Sequence, residues 1–340
     1  MPLITLIHRV ANYENLTRDE ASDAMLSILS GIAAPALIAG FLVALKMKGE
    51  TAEELTGLAR AMRLMAVPLD ARVAGEPLLE TCGTGGDGRH TFNISTVAAF
   101  AIAGAGVRVA KHGNRAISGK CGSADLLEAL GVKIAPGPEA VVRCVRDVGI
   151  GFLFAPAMHQ AMKHAQQVRV ELKMRTAFNL LGPLTNPAGA TVQIVGAPSA
   201  PAAELMAQAL ANLGLERGFV VHGSDGLDEI TTTGESLLLE VRDGSVTRRT
   251  VTPEDFNVPR ATLDDLRGGD LAANLEIARQ VLGGERGPKR NIVVVNAGAA
   301  LVAAGRATDF REGAAMAAEA LESGAAAGKV EALAAISKLS

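Results

Sequence analysis

Aromatic side chains are nearly missing from this 340-residue chain, which has no tryptophan, one tyrosine and 3% aromatics in all. Alanine, leucine and valine must therefore fill the interior, within a hydrophobic content of 49%. The length suffices for one large domain and a smaller one. An excess of positive charge is also lacking. The formal net charge of −3 offers no basic face for nucleic acid, though it leaves room for a local cationic pocket that takes a small polyanion. Cysteine is scarce: Cys82, Cys121 and Cys144 have no metal-ligand spacing, and an odd number suits a reducing compartment. Long apolar runs are missing too, since 32–45 is broken by Pro35 and Gly40 and falls short of a membrane span. The opening residues 1–9 show no basic leader. The expectation is a cytoplasmic protein with neither membrane nor nucleic acid as partner.

What the chain does have is ordered punctuation. Residues 1–70 read as helices only, over 3–10, 17–29, 34–46 and 51–65. Thr17 with Glu20 and Thr51 with Glu54 form capping boxes, and Pro68 closes the block. From residue 78 strands alternate with helices, the strands falling at 78–81, 107–110, 151–154, 191–195, 218–222, 237–241 and 291–296. That alternation predicts an α/β fold with a mostly parallel central sheet flanked by helices. Residues 159–175 are helical by pattern, Gly182-Pro183 is a hard stop, and 242–262 is polar enough to be surface structure.

Glycine is concentrated where the pattern turns. Cys82-Gly83-Thr84-Gly85-Gly86-Asp87-Gly88 follows the first strand, and Asn93-Ile94-Ser95-Thr96 opens a small apolar helix over 95–105. A strand, a glycine turn and a helix N-terminus in that order gather unpaired N–H groups and a helix dipole on one point, which makes an anion site. The other reading is a plain tight turn. No Gly-Lys-Ser/Thr follows, and the spacing is not that of a dinucleotide loop. A second cluster runs from the strand 107–110 into a loop, Lys111-His112-Gly113-Asn114-Arg115, then Ser118-Gly119-Lys120-Cys121-Gly122-Ser123 and a helix over 124–130. Two such turns side by side at the carboxyl edge of a parallel sheet are where open α/β folds bind ligands. Downstream, Asp228-Glu229 follows the strand 218–222 and the turn 223–226. Adjacent carboxylates there suit magnesium with retained waters and substrate phosphates, and equally suit a solvated surface.

Seven segments occur in order: GTGGDG, NIST, KHGNR, GSADLLEALGV, FLFAPAMH, RTAFNLLGPLTNP and HGSDGLDEIT. Together they resemble the anthranilate phosphoribosyltransferase family along nearly the whole chain. The resemblance implies a discontinuous helical domain, 1–70 joined by an inserted segment at about 159–182. The α/β phosphoribosyl-binding domain would then be 71–158 and 183–340. It implies magnesium-dependent transfer of a phosphoribosyl group from phosphoribosyl pyrophosphate to the amine of anthranilate, in tryptophan biosynthesis. Two magnesium ions and a homodimer through the helical domain are implied as well.

On that reading Gly83, Thr84, Gly85 and Gly86 offer backbone N–H groups to the pyrophosphate. Asn93, Ser95 and Thr96 add side-chain donors, Lys111 a point charge and Ser123 a further hydroxyl. The family pattern adds Thr91 to this set. Asp87 either approaches a second magnesium or fixes the loop through its own backbone. Magnesium falls to Asp228, Glu229 and Ser95. Anthranilate falls to Gly83, His112, Asn114 and Arg169, the arginine matching a carboxylate through paired bonds. Lys111, His112 and Asn114 position the reactants, and no nucleophile–base triad is visible. Arg169 also suits a solvated helix face paired with acidic neighbours. Three residues depart from the family pattern: Cys121 replaces a serine, Lys173 a glycine and Gln160 a proline. A pyrimidine nucleoside phosphorylase, which shares the architecture, would read differently after Lys111. A non-catalytic nucleic-acid-binding paralogue would lose the glycine loop or the acidic pair and gain basic charge.

Overall fold

A computed structural model describes residues 1–116 and 120–339. Ser118 and Gly119 of the second cluster lie outside the described residues. The chain opens with helices α1 (Leu3–Ala11), α2 (Arg18–Leu29), α3 (Pro35–Lys48) and α4 (Ala52–Leu64). Both capping boxes form: the Thr17 and Thr51 side chains accept from the Glu20 and Glu54 N–H groups, and each glutamate reaches back. Glu54 does more than cap. Fully buried, it accepts from the Leu16 N–H at 2.9 Å and from Lys48 Nζ at 2.9 Å, tying α4 to the end of α3 and to the loop before α2.

The α/β part runs β1 (Leu78–Gly83), α5 (Ile94–Gly104), β2 (Arg108–Gly113), α6 (Ser123–Ala129), α7 (Pro138–Arg143) and β3 (Ile150–Phe154). Short α8 (Ala155–Met158), α9 (Lys163–Leu172) and α10 (Phe178–Leu181) interrupt it. It resumes with β4 (Val192–Gly196), α11 (Ala200–Asn212), β5 (Arg217–Gly223) and the hairpin of β6 (Ser236–Arg242) and β7 (Ser245–Val251). Helices α12 (Leu271–Leu282), α13 (Pro288–Ala303), α14 (Phe310–Glu322) and α15 (Ala325–Ile336) close the chain. The seven strands lie in the order β3-β2-β1-β4-β5-β6-β7. The first five are parallel; β6 and β7 are antiparallel. The direction of winding reverses between β1 and β4, so the crevice beyond their carboxyl ends is the expected ligand position.

Alternation along each strand sends side chains to two cores. Leu79, Val109, Ile194 and Val221 face α5 and α13, while Val195, Val220 and Leu239 face α11. The second cluster continues through α11 into the helical block, joining Leu6, Met25, Phe41 and Leu58 to Val168 and Phe178 of the insert.

Three sequence expectations change. Residues 291–296 are not a strand but the interior of α13. Its β-branched run Ile292–Val295 imitates a strand, and a helix buried on nearly every face shows no polar stripe to betray its period. The helix expected over 159–175 is a 3₁₀ turn, Gln160–Met162, then α9, which stops at Leu172 because Lys173 takes a left-handed φ of 48°. The polar segment 242–262 does lie at the surface but contains β7, an edge strand kept soluble by outward Arg248 and Arg249.

Candidate active site

β1 ends in Gly83, and the loop that follows turns on Gly85 (φ 63°) and Gly86 (φ 69°), a conformation open to few other residues. The loop does not stand free. The Gly85 N–H donates to Asp228 Oδ2 at 2.8 Å, and a side chain at Gly83 or Gly196 would collide with Asp228. Bare backbone at the ends of β1 and β4 thus lets the acidic loop after β5 reach the glycine loop. The Asp87 carboxylate accepts from the Arg89 N–H at 3.0 Å, the loop-fixing alternative of the two left open by sequence. Thr91 sits at the far end of the loop, bridged to Arg267.

Glu229 faces the first turn of α5, where the Ser95 backbone favours its charged form. Asp228 and Glu229 are partly exposed as residues, yet their carboxylates are enclosed by protein. Burial raises the pKa of Asp228 to about 6, helped by Asp87, and burial with Asp228 alongside raises Glu229 well above its ordinary value. Such a pair favours a cation. Among the described residues no three His, Cys, Asp or Glu side chains cluster as a metal cage. Two carboxylates with the Ser95 hydroxyl beside them fit magnesium, which completes its shell with water and substrate phosphate. Thr84 Oγ1 and Asn93 Oδ1 are buried without hydrogen-bond partners, leaving polar capacity at the same place. Thr96 is buried in the first turn of α5.

Lys111 and His112 belong to β2 and not to the loop expected after residue 110, because β2 stays paired with β3 through Gly113. Being in successive strand positions, they face opposite sides of the sheet. Lys111 donates to Thr81 O at 2.7 Å and to Ser95 Oγ at 3.3 Å; burial lowers its pKa, with Glu229 and Glu80 among the charges opposing that shift. His112 meets His159 on the other side, ring centroids 5.1 Å apart. The Gly182 backbone acts on the His112 ring and the Thr185 backbone on that of His159, and both Nε2 atoms are buried without hydrogen-bond partners. Burial lowers the pKa of His112 to about 3 and of His159 to about 4, so both rings are neutral near pH 7.

Asn114 and Ser123 come together across the second loop, where the Asn114 N–H donates to Ser123 Oγ at 3.2 Å. Asn93 Nδ2 donates to Cys121 O at 3.1 Å, joining the two loops as neighbours. The Cys121 thiol, raised in pKa by burial, faces Asn274. Arg115 pairs with Asp125 and Glu128 as a surface charge. Arg169 stands apart on α9. It lies over the Phe178 ring, 5.1 Å from the centroid, and among the described residues makes no ion pair with its acidic neighbours. Burial lowers its pKa, as for a guanidinium lacking a counter-ion.

A family model described as the glycosyl transferase family, helical bundle domain, matches residues 4–66, and one described as the glycosyl transferase family, a/b domain, matches 75–327. The chain is 64% identical over 334 residues to an anthranilate phosphoribosyltransferase of Solibacter usitatus, covering 98% of both chains. The chain belongs to the anthranilate phosphoribosyltransferase family. The enzyme of this name from Thermus thermophilus superposes with a TM-score of 0.92 at 46% identity, over 98% of this chain and 99% of that one. An anthranilate phosphoribosyltransferase of Saccharomyces cerevisiae in complex with PRPP and Mg superposes with a TM-score of 0.88 at 26% identity, over 98% and 97%. The small helical domain and the large α/β domain with its mostly parallel sheet are those of the family.

Sequence reasoning passed over four residues. Fully buried Glu80 in β1 accepts from Gln193 Nε2, opposite it in register on β4, and burial raises its pKa to about 7. Asn296 of α13 holds both the N–H and the carbonyl of Ile230 at 2.9 Å, directly behind the acidic pair. His159 and Arg175 complete the set. An asparagine inside an apolar run was the one available signal for Asn296, and the expected strand hid it.

Proposed function

We propose that the chain transfers the phosphoribosyl group of phosphoribosyl pyrophosphate to the amine of anthranilate, giving N-phosphoribosyl anthranilate and pyrophosphate. The observation that carries this is the Gly85–Asp228 contact, which joins a backbone anion loop to an enclosed acidic pair at the switch point of the sheet. Pyrophosphate and phosphate oxygens are taken by the N–H groups of Gly86 and Asp87, which Asp228 and Gly196 leave free while holding those of Gly85 and Thr84, and by the side chains of Thr84, Thr91, Asn93, Ser95, Thr96, Lys111 and Ser123, with Gly83 giving bare backbone beneath them. Two magnesium ions, held by Asp228, Glu229 and Ser95, would neutralise the charge that gathers on the leaving pyrophosphate.

In the transfer the amine nitrogen bonds to the anomeric carbon. The bond from that carbon to pyrophosphate breaks with its electron pair going to oxygen, and the amine gives up one proton. The sugar carbon passes through a cation-like state, so alignment of two bound reactants does most of the work. Such alignment supplies ~7–11 kcal/mol of a barrier. Gly83, His112, Asn114 and Arg169 place anthranilate. The unpaired guanidinium of Arg169 takes the carboxylate, and neutral His112 presents an acceptor nitrogen.

The helical domain, 1–70 with 159–182, associates with its copy in a second chain to form a homodimer. Exposed Ile4, Tyr13, Ile32 and Met47 on the block support that reading, and a monomeric mass in light scattering would remove it. The place of action is the cytoplasm. Anthranilate is fluorescent, so its emission should decay when purified protein receives phosphoribosyl pyrophosphate and magnesium together. A steady signal with all three present would exclude the proposed reaction.

A further inference from the structure

The insert that carries Arg169 also reaches the glycine loop. Six residues on, Arg175 Nη1 donates to Gly85 O at 3.0 Å and to Gly86 O at 3.2 Å, across 90 and 89 residues of chain. Lys173, in its left-handed turn, ends α9 between the two arginines. Arg175 is exposed and forms no ion pair among the described residues, where its hydrogen bonds go to these two carbonyls. The fit is close: a Cβ on Gly86 would lie 2.5 Å from Nη1.

Peptide planarity gives that grip a consequence. In a trans peptide the C=O and the following N–H point to opposite sides. With the Gly85 and Gly86 carbonyls drawn to Arg175, the N–H groups of Gly86 and Asp87 are turned away from it. Asp228 takes the Gly85 N–H. Arg175 therefore decides which way the anion-binding groups of the loop face, without itself contacting the anion.

We propose that Arg175 is a positioning residue that couples the two substrate sites. From the same insert on which Arg169 receives the acceptor, it sets the peptide orientation of the pyrophosphate loop. The inference rests on the functional reading above. Anthranilate bound at Arg169 restrains the insert, which holds Arg175 on the loop and strengthens pyrophosphate binding. By linkage, pyrophosphate strengthens anthranilate binding by the same factor.

Calorimetry with magnesium pyrophosphate, which cannot react, tests this with and without saturating anthranilate. The wild-type protein should bind magnesium pyrophosphate about fivefold or more tightly when anthranilate is present, the lower end of ordinary coupling. Arg175→Ala should bring that ratio to one while keeping wild-type affinity for anthranilate alone. Arg175→Lys, which still offers an ammonium to the two carbonyls, should restore part of it. A merely structural arginine would lower both affinities together and leave the ratio unchanged. An undiminished ratio in Arg175→Ala, or a ratio of one in the wild type, overturns the coupling. Failure of the wild type to bind either ligand strikes instead at the functional reading, and the coupling falls with it.

Discussion

His112 shows how one residue's environment sets both its role and its energetic cost. Its ring is enclosed beside His159, with Lys111 next in the strand, and is held at a pKa of about 3. A histidine depressed in the folded state stays neutral there while the unfolded chain takes up a proton near its ordinary value of about 6.5. Stability is then fully present above that value and is lost as pH falls toward the folded value. For His112 alone the loss from pH 6.5 to 5 is about 2 kcal/mol. Glu80, with a raised pKa, pulls the other way over part of this range, so the comparison must be between variants. His112→Gln should lose less thermal stability than wild type between pH 7 and pH 5. Equal acid sensitivity would mean that the ring is already accessible to a proton.

At the scale of elements, the acidic loop depends on a helix far along the chain. Asn296 of α13 makes two bonds to the Ile230 backbone and a third to Ile292 O, all at 2.9 Å. Asn296→Ala would leave the buried N–H and carbonyl of Ile230 unpaired, at about 1–3 kcal/mol each. The melting temperature should fall by several degrees and manganese, as a magnesium substitute, should bind more weakly. An unchanged midpoint with intact ion binding would show that the acidic loop holds its own shape.

The same helix marks where sequence stops being legible. The strands with one or two apolar faces and glycine ends were readable, as were the capped helices, because turn chemistry and period agree there. In α13 they disagree: Ile292 to Val295 have strand character and no polar face. In β2 the strand runs on past its apolar residues, since Lys111 and His112 find buried partners that no local pattern announces. The anion loop was legible as glycines and as a family pattern. Its grip by Asp228 and Arg175 was not, because each partner lies about ninety or more residues away.

On the scale of the whole molecule, a sheet that reverses its winding between β1 and β4 creates the crevice. The helical insert and the loop after β5 then close on it from two sides. The direct test of that account is calorimetry of phosphoribosyl pyrophosphate binding, with magnesium, to Gly86→Val. Gly86 has a φ of 69° and lies against Arg175, so a branched side chain there meets both backbone strain and a collision. The strain alone is of order 1–3 kcal/mol. The variant should fold, keep wild-type affinity for anthranilate, and show no binding of phosphoribosyl pyrophosphate at any magnesium concentration. Wild-type affinity in the folded variant would contradict the account and make the glycine loop an ordinary turn.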